Sequence, residues 1–520
     1  MAEESRVKKS LLNARVNLIF YFLTLILSFF SRKIFLDCLG ADFVGLTTTL
    51  QNLLGFLNLA ELGIGSAIGY VLYKPLFEHD KQKINEIISV FGYLYRWIGL
   101  IILGAGLILG GFLPLIFPST SFEMGIIYFA YLSFLASSLI GYFANYKQTL
   151  LGADQKNYVV TAYFQTANIV KTLIQMASAY YTGSYYLWVI IELTFGIIYS
   201  IILNWKIRQV YPWLKSEVRQ GRQLFRKYPE VMRYTKQLFV HKIGDFAQYQ
   251  ATPFLTYAFV SLKTVAYYGN YSIIIDKLII FLGDILNSTR AGVGNLIAEG
   301  NIIKVKRVFW ELISIRFLAA TVFTTTTYLS IQPFIKLWIG EEYLLPSTIV
   351  ILILSRLFLT LATGATNQFL YGFGLFYDTW APLAQTTIYF IFAIIGGYFW
   401  GLAGILASSV LSLIIIIGIW KPYFLFKKGF KESVLLYWIK WGANFVICVI
   451  SFFITRLLIN IIYDSDFADT NLSSWLVFTI TTVAISTAVC YIILLSTKGM
   501  QDFTQRIASY IKGIYLKLKH

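Results

Sequence analysis

The chain has 520 residues, of which 57% are hydrophobic and 13% charged, with a formal net charge of +17. Soluble domains carry roughly 25% charged residues, so a soluble fold is excluded, and the 18% aromatic content points the same way. In a soluble protein the positive charge would suggest nucleic acid as a partner; here the basic residues sit mostly in loops between apolar runs, which marks membrane topology and leaves no nucleic-acid partner expected.

Apolar runs near the roughly 20 residues that cross a bilayer recur from end to end. Backbone groups in lipid must be paired within the segment, so each run is expected to be a helix. The sequence lacks the short alternating segments of a β-barrel. The reading is an all-α integral membrane fold with about 14 transmembrane helices. In chain order the spans are Leu11–Ser31, Val44–Leu72, Ser89–Leu113, Gly125–Tyr146, Val159–Tyr181, Tyr186–Trp205, Leu238–Val260, Ala266–Asn287, Val308–Ile331, Ser347–Phe369, Trp380–Phe399, Leu402–Trp420, Leu436–Ile459 and Trp475–Ser496. The second is long and carries Gly55, Gly63, Gly65 and Gly69, so a bend or tilt is expected there. The charged N-terminal stretch leads into a full-length span without a cleavage site, which argues against a removed signal peptide. Cys38, Cys448 and Cys490 are far apart and offer neither a disulfide framework nor metal spacing.

Basic residues fall unequally on the two sides. One side holds the N-terminal tail, the loops near Lys74–Lys83, Lys147–Lys156, Lys206–Lys236, Arg290–Arg307 and Lys421–Lys431, and the tail Lys498–Lys519. That side carries about 31 of the 43 Lys and Arg residues, which puts both termini in the cytoplasm. The longest polar loop contains Lys215, Arg219, Arg222, Arg226 and Lys227, spaced three to four apart among Leu214, Val218 and Phe225. That spacing suits a helix on the anionic leaflet; a basic linker joining two halves is the other reading.

The loop follows the sixth span, which invites a search for duplication. Gln148-Thr-Leu-Leu-Gly152 ends the fourth span, and Gln368-Phe-Leu-Tyr-Gly372 ends the tenth about 220 residues later. Val44-Gly45 opens the second span and Tyr268-Gly269 opens the eighth at nearly the same offset. The expected organisation is a six-helix bundle over 1–207, a basic cytoplasmic linker over 208–235, and a second six-helix bundle over 236–420. Two extra helices and a basic tail follow over 421–520.

Several stretches carry a family resemblance. Leu39-Gly40-Ala41-Asp42-Phe43-Val44-Gly45 is similar to the entry to the second span in polysaccharide exporters. Leu59-Ala60-Glu61-Leu62-Gly63-Ile64-Gly65-Ser66-Ala67 and Gln148-Thr-Leu-Leu-Gly152-Ala-Asp154-Gln-Lys-Asn157 resemble two further stretches of the same proteins. These are the Wzx-type flippases of the multidrug/oligosaccharidyl-lipid/polysaccharide (MOP) superfamily. The resemblance implies a V-shaped pair of bundles like that of multidrug exporters, in the bacterial cytoplasmic (inner) membrane. It also implies a lipid-linked oligosaccharide substrate, the undecaprenyl-diphosphate-linked repeat unit of a surface polysaccharide, with a polymerase and a chain-length regulator as partners. It implies no catalytic motif.

Ionisable side chains in hydrocarbon cost at least ~2.5–3.5 kcal/mol each, so they face a cavity or a partner. His241, Asp245, Gln248 and Thr252 share one face of the seventh span, beside Lys242. Asn270, Lys277 and Asp284 recur every seven residues on the eighth, bordered by Arg290; Gln51, Asn58 and then Glu61 line the second. The functional reading is a hydrated cavity in which Arg15, Lys242, Lys277 and Arg290 hold a diphosphate. Glu61, Asp245 and Asp284 would temper that attraction, and one of them would carry a coupling H⁺ or Na⁺. The plainer reading pairs Lys277 with Asp276 or Asp284, and Lys242 with Asp245, as ties between helices. Lys171 and Glu192 either pair or line a cavity. Arg96, Arg316 and Arg356 are read as snorkelling or packing.

An enzyme is disfavoured. The acidic turn Asp464-Ser-Asp466 with Asp469 is short, the three histidines are scattered, and no Gly-rich Lys loop for ATP is present. No cofactor is expected. The rival readings are a cation-coupled multidrug antiporter and a flippase for the peptidoglycan lipid precursor.

Overall fold

The computed structural model describes residues 6–518, apart from 62, 63, 119, 155, 230, 233, 234, 236–248, 288, 290–292, 295, 298, 376 and 465. Among the described residues the secondary structure is helical throughout. The chain forms two compact units, Met1–Ala266 and Tyr267–His520.

The first unit opens with α1 (Arg6–Leu57), whose 52 residues would reach about 78 Å if straight. It is broken at Gly40, where φ is 84° and ψ 159°. That conformation favours glycine, because a Cβ would clash with the neighbouring carbonyl. Gly40 thus separates the first span from the second. A 3₁₀ turn over Asn58–Glu61 then interrupts the second span, which resumes as α2 (Ile64–Phe77). The expected bend is real, and it falls on a polar turn rather than on Gly55 or Gly69.

Asp80 caps α3 (Lys81–Gly111) by accepting from the Lys83 amide at 2.9 Å. After α3 come α4 (Met124–Ala144), a short helix Gln148–Ala153, α5 (Asn157–Thr182) and α6 (Tyr185–Val210). Gly92, Gly99 and Gly106 recur every seven residues along one face of α3. A Cβ there would lie 2.8 Å from Tyr146 and Val218, from Phe143 and from Leu135, respectively. Small residues let neighbouring chain approach α3 closely, which drives packing where lipid competes for apolar contact.

The basic loop does not form one surface helix. It makes a 3₁₀ turn over Val218–Gln220 and a short helix Gly221–Lys227. It docks on the first turns of α3, because those turns present acceptors. The Lys215 amide donates to Asn85 (2.8 Å), the Glu217 amide donates to Ser89 (2.9 Å), and Lys227 pairs with Glu86 at 2.7 Å. Asp154, from the motif after the fourth span, accepts from Tyr211 at 2.8 Å and pairs with Lys156 at 2.7 Å. Burial and that carboxylate push the Tyr211 phenol above its ordinary range. Of the seventh span, residues 249–259 are helical and belong to the first unit.

The second unit is built on α8 (Ile302–Ile339), which buries Phe309, Ile313, Phe317, Ala320, Ile331 and Ile335. Around it lie α7 (Leu262–Asn287), whose first turns hold the boundary between the units, and α9 (Ser347–Gly372). Next come α10 (Trp380–Trp400), α11 (Leu402–Phe430), α12 (Leu435–Ile462), α13 (Leu472–Leu494) and α14 (Lys498–Leu518). The two C-terminal spans, α12 and α13, pack on α8 together with α14. The acidic turn before α13 is an anchor: Asp469 pairs with Lys336 of α8 at 3.1 Å.

Ten described helical segments are long and apolar enough to cross a membrane. α5 and α7 match them in length, at 26 residues each, and carry more polar side chains. Leu107, Ile108 and Leu115 in the first unit, and Tyr398, Phe399, Trp400, Ile480 and Ile492 in the second, stand exposed. Faces of this kind require a bilayer as solvent. The chain is a multi-pass membrane protein.

Candidate functional site

Among the described residues, three polar clusters that hold residues singled out in the sequence interrupt the apolar interior. The first surrounds Glu61. The 3₁₀ turn brings Asn58 and Glu61 to one side, where Tyr95 of α3 and Tyr142 of α4 meet them. The Tyr95 hydroxyl donates to one carboxylate oxygen of Glu61. The Tyr142 hydroxyl donates to the other at 2.7 Å and lies 3.0 Å from the Asn58 Oδ1. Two phenols therefore fix a carboxylate at the break in the second span. The helical stripe expected for Gln51 and Asn58 ends at this turn, and Gln51 is exposed on α1.

The second cluster lies among α4, α5 and α6. Lys171 pairs with Glu192 at 2.8 Å, and Gln175 donates to the other Glu192 oxygen at 3.0 Å. Both charged residues line a cavity of about 430 Å³ with Asn145, Gln148, Asn168 and Tyr199. The two readings of this pair are not exclusive, because the ion pair forms part of the cavity wall. Gln148 opens a separate short helix here, whereas its counterpart Gln368 lies in the last turns of a continuous α9.

The third cluster sits at the end of α7. Arg316 of α8 is 3% exposed. It donates to Asn287 Oδ1 (2.9 Å), the Leu286 carbonyl (3.2 Å) and the Leu361 carbonyl (3.4 Å). Gln368 reaches the same Leu286 carbonyl at 2.9 Å. The last carbonyls of a helix lack intrahelical partners, and a guanidinium suits them in both charge and hydrogen bonding. Gly364 makes room, since a Cβ there would lie 2.1 Å from the guanidinium. Arg316 therefore does not snorkel; it ties three helices together. Arg316→Lys, which loses the planar fork, is expected to lower the melting temperature in detergent by several degrees, corresponding to about 2 kcal/mol.

The other predicted residues are spread out. Arg15 is exposed on α1, Asn270 is fully buried, and Lys277 is half-buried on α7. Asp276 pairs with Arg356 of α9 at 3.4 Å, an interhelical tie that the pairing of Asp276 with Lys277 did not anticipate. Asp284 lies on the backbone of α7, and its side chain is outside the described set. Lys242, Asp245 and Arg290 also lie outside the described residues, as do His241 and Gln248. Sequence reading missed Tyr95 and Tyr142. Both belong to a chain with 36 tyrosines, and no spacing sets these two apart.

The fold is similar to that of solved membrane-protein structures, two of which cover most of this chain. The lipid II flippase MurJ, in its inward closed conformation, is similar with a TM-score of 0.63 at 16% identity, over 91% of this chain and 98% of that one. An inward-facing multidrug resistance MATE family transporter of the MOP superfamily is similar with a TM-score of 0.60 at 14% identity, over 80% of this chain and 98% of that one. No family model and no curated protein sequence matches the chain.

Proposed function

We propose that this chain is a flippase of the bacterial cytoplasmic membrane. It moves undecaprenyl-diphosphate-linked oligosaccharide repeat units to the outer leaflet, where a polymerase and a chain-length regulator build surface polysaccharide. The observation that carries this reading is the reach of the shared fold. Likeness to the lipid II flippase extends over 91% of the chain, and likeness to the multidrug resistance transporter over 80%. The larger share leaves too few residues unmatched to omit the whole of 421–520, the region that holds α12 and α13. The motifs resembling Wzx-type flippases favour an oligosaccharide head group. A diphosphate needs several cationic donors to leave water, and Arg15, Lys242, Lys277 and Arg290 are assigned that role. Transport runs by alternating access, driven by H⁺ or Na⁺ or by consumption of the product. Glu61, already held by two hydroxyl donors, is the first candidate to carry the coupling ion.

A second reading is favoured by the likeness to the lipid II flippase MurJ: this chain transports the peptidoglycan lipid precursor. Lipids from cells lacking the gene separate the two. Complete lipid-linked repeat units are expected to accumulate on the cytoplasmic leaflet while surface polysaccharide disappears, with rescue by the wild-type gene and not by Lys277→Ala. Accumulation of the peptidoglycan precursor would transfer the assignment to the second reading. Normal lipids together with new sensitivity to cationic drugs would sink both and favour an antiporter.

A further inference from the structure

A second cavity, of about 670 Å³, lies wholly in the second unit, between α8, α12 and α14. Lys306, Arg307 and Trp310 of α8, Lys440 and Asn444 of α12, and Lys498 of α14 line it. Two of the cations are already satisfied, Lys306 by Glu432 and Arg307 by Asp502 at 2.7 Å. Lys440 and Lys498 are different. Among the described residues neither enters an ion pair, and Lys440 sits 4.4 Å from the centroid of the Trp310 ring. Two ammonium groups from two helices therefore meet in one pocket whose lining carboxylate, Asp502, is paired with Arg307 instead.

An independent observation lies deeper. Asn444 is 4% exposed, yet its Oδ1 has no hydrogen-bond partner. A buried amide left unmatched costs about 1–3 kcal/mol, so this position calls for a polar guest. On α12, Leu436, Ile439, Val446 and Ile450 stand exposed at helical spacing on the side that carries Lys440, a face an acyl chain can follow.

From this arrangement we infer that the cavity binds the phosphate ester of an anionic glycerophospholipid. Lys440 and Lys498 hold the phosphate oxygens, the Asn444 Oδ1 accepts from a hydroxyl of the glycerol head group, and Trp310 marks the interfacial level. The site is separate from the transport residues and does not rest on the flippase reading. It would fasten the amphipathic α14 and the last two spans to lipid of one charge class.

The test uses the full-length purified protein with phosphatidylglycerol, phosphatidylcholine and inorganic phosphate as separate probes. Lipid retention is read by native mass spectrometry, and thermal stability is read with and without each probe. Phosphatidylglycerol is expected to stay bound and raise the melting temperature, and phosphatidylcholine is not. Lys440→Gln with Lys498→Gln should reduce phosphatidylglycerol retention by about tenfold or more, with lipid-free melting unchanged. Asn444→Asp, which keeps the side-chain size and adds a repelling charge, should do the same and guards against misfolding of the double variant. Equal retention of the two lipids, or undiminished retention in both variants, overturns the proposal. Equal stabilisation by millimolar inorganic phosphate overturns the lipid as occupant.

Discussion

Glu192→Ala is expected to destabilise the first unit by about 3 kcal/mol, and Lys171→Met combined with Glu192→Gln by much less. The pair is held at 2.8 Å with side chains 17% and 21% exposed. Removing the carboxylate strands an ammonium in a cavity whose wall includes Phe164 and Phe195, where water replaces the lost partner poorly. Removing both charges removes the desolvation cost together with the attraction. The side-chain carbonyl that Glu192→Gln retains could still accept from Gln175, which now donates to Glu192 at 3.0 Å. Thermal melting of Lys171→Met, Glu192→Gln and their double variant in one detergent gives the coupling between the residues. A coupling below about 0.5 kcal/mol would mean that the contact is incidental. On the transport reading the double variant is folded and yet impaired in lipid translocation, because the cavity has lost both of its charges.

Gly404→Val is expected to leave little folded protein. A Cβ at Gly404 would lie 2.0 Å from the Gly396 carbonyl oxygen, and one at Gly396 would lie 2.8 Å from the Gly404 oxygen. Both obstacles are backbone, so no side chain can turn aside. The two glycines lie where α10 and α11 form a hairpin through Gly401, whose φ of 56° and ψ of −133° also favour glycine. Separating the helices to admit a side chain would open this hairpin along its length. The cost is about 3 kcal/mol or more, at the upper end for overpacked interiors. Gly104→Ala on α3 is the control. Nothing lies within 4 Å of its Cβ position, and a helical Gly→Ala change gains up to about 1 kcal/mol. Monodisperse elution and unchanged melting of Gly404→Val would refute the close contact.

The length and spacing of the apolar runs made the helices legible. Thirteen of the expected spans fall on described helices, and the end of the seventh does as well. What the sequence hid was which polar groups meet. The second span was expected to bend among Gly55, Gly63, Gly65 and Gly69; a 3₁₀ turn breaks it within that stretch, at Asn58–Glu61, where Glu61 meets two tyrosines from other helices. Periodicity within one segment carries no information about partners on another. The same limit explains Arg316, read as snorkelling or packing, whose partners lie at the end of α7 and on α9. It also explains Asp276, whose cation comes from α9 rather than from its neighbour in sequence. Lys171 and Glu192 were legible as a pair because they are the only charges of their adjacent spans.

The length of α8 has a consequence for how the second unit sits in lipid. Its charges crowd the two ends, with Lys304, Lys306, Arg307 and Glu311 at the start and Lys336 at the finish; Arg316 is the one charge between them. Along a straight helix Arg307 and Lys336 are about 44 Å apart, close to the ~40–45 Å of a bilayer with its head groups. The helix is thus a depth gauge. Sliding it along the membrane normal would draw one charged end into hydrocarbon, so the motions left to this unit are tilting and rotation at fixed depth. Bilayers much thicker or thinner than this span would impose a mismatch on every state of the unit, and the rate of conformational change should pass through a maximum as acyl-chain length is varied.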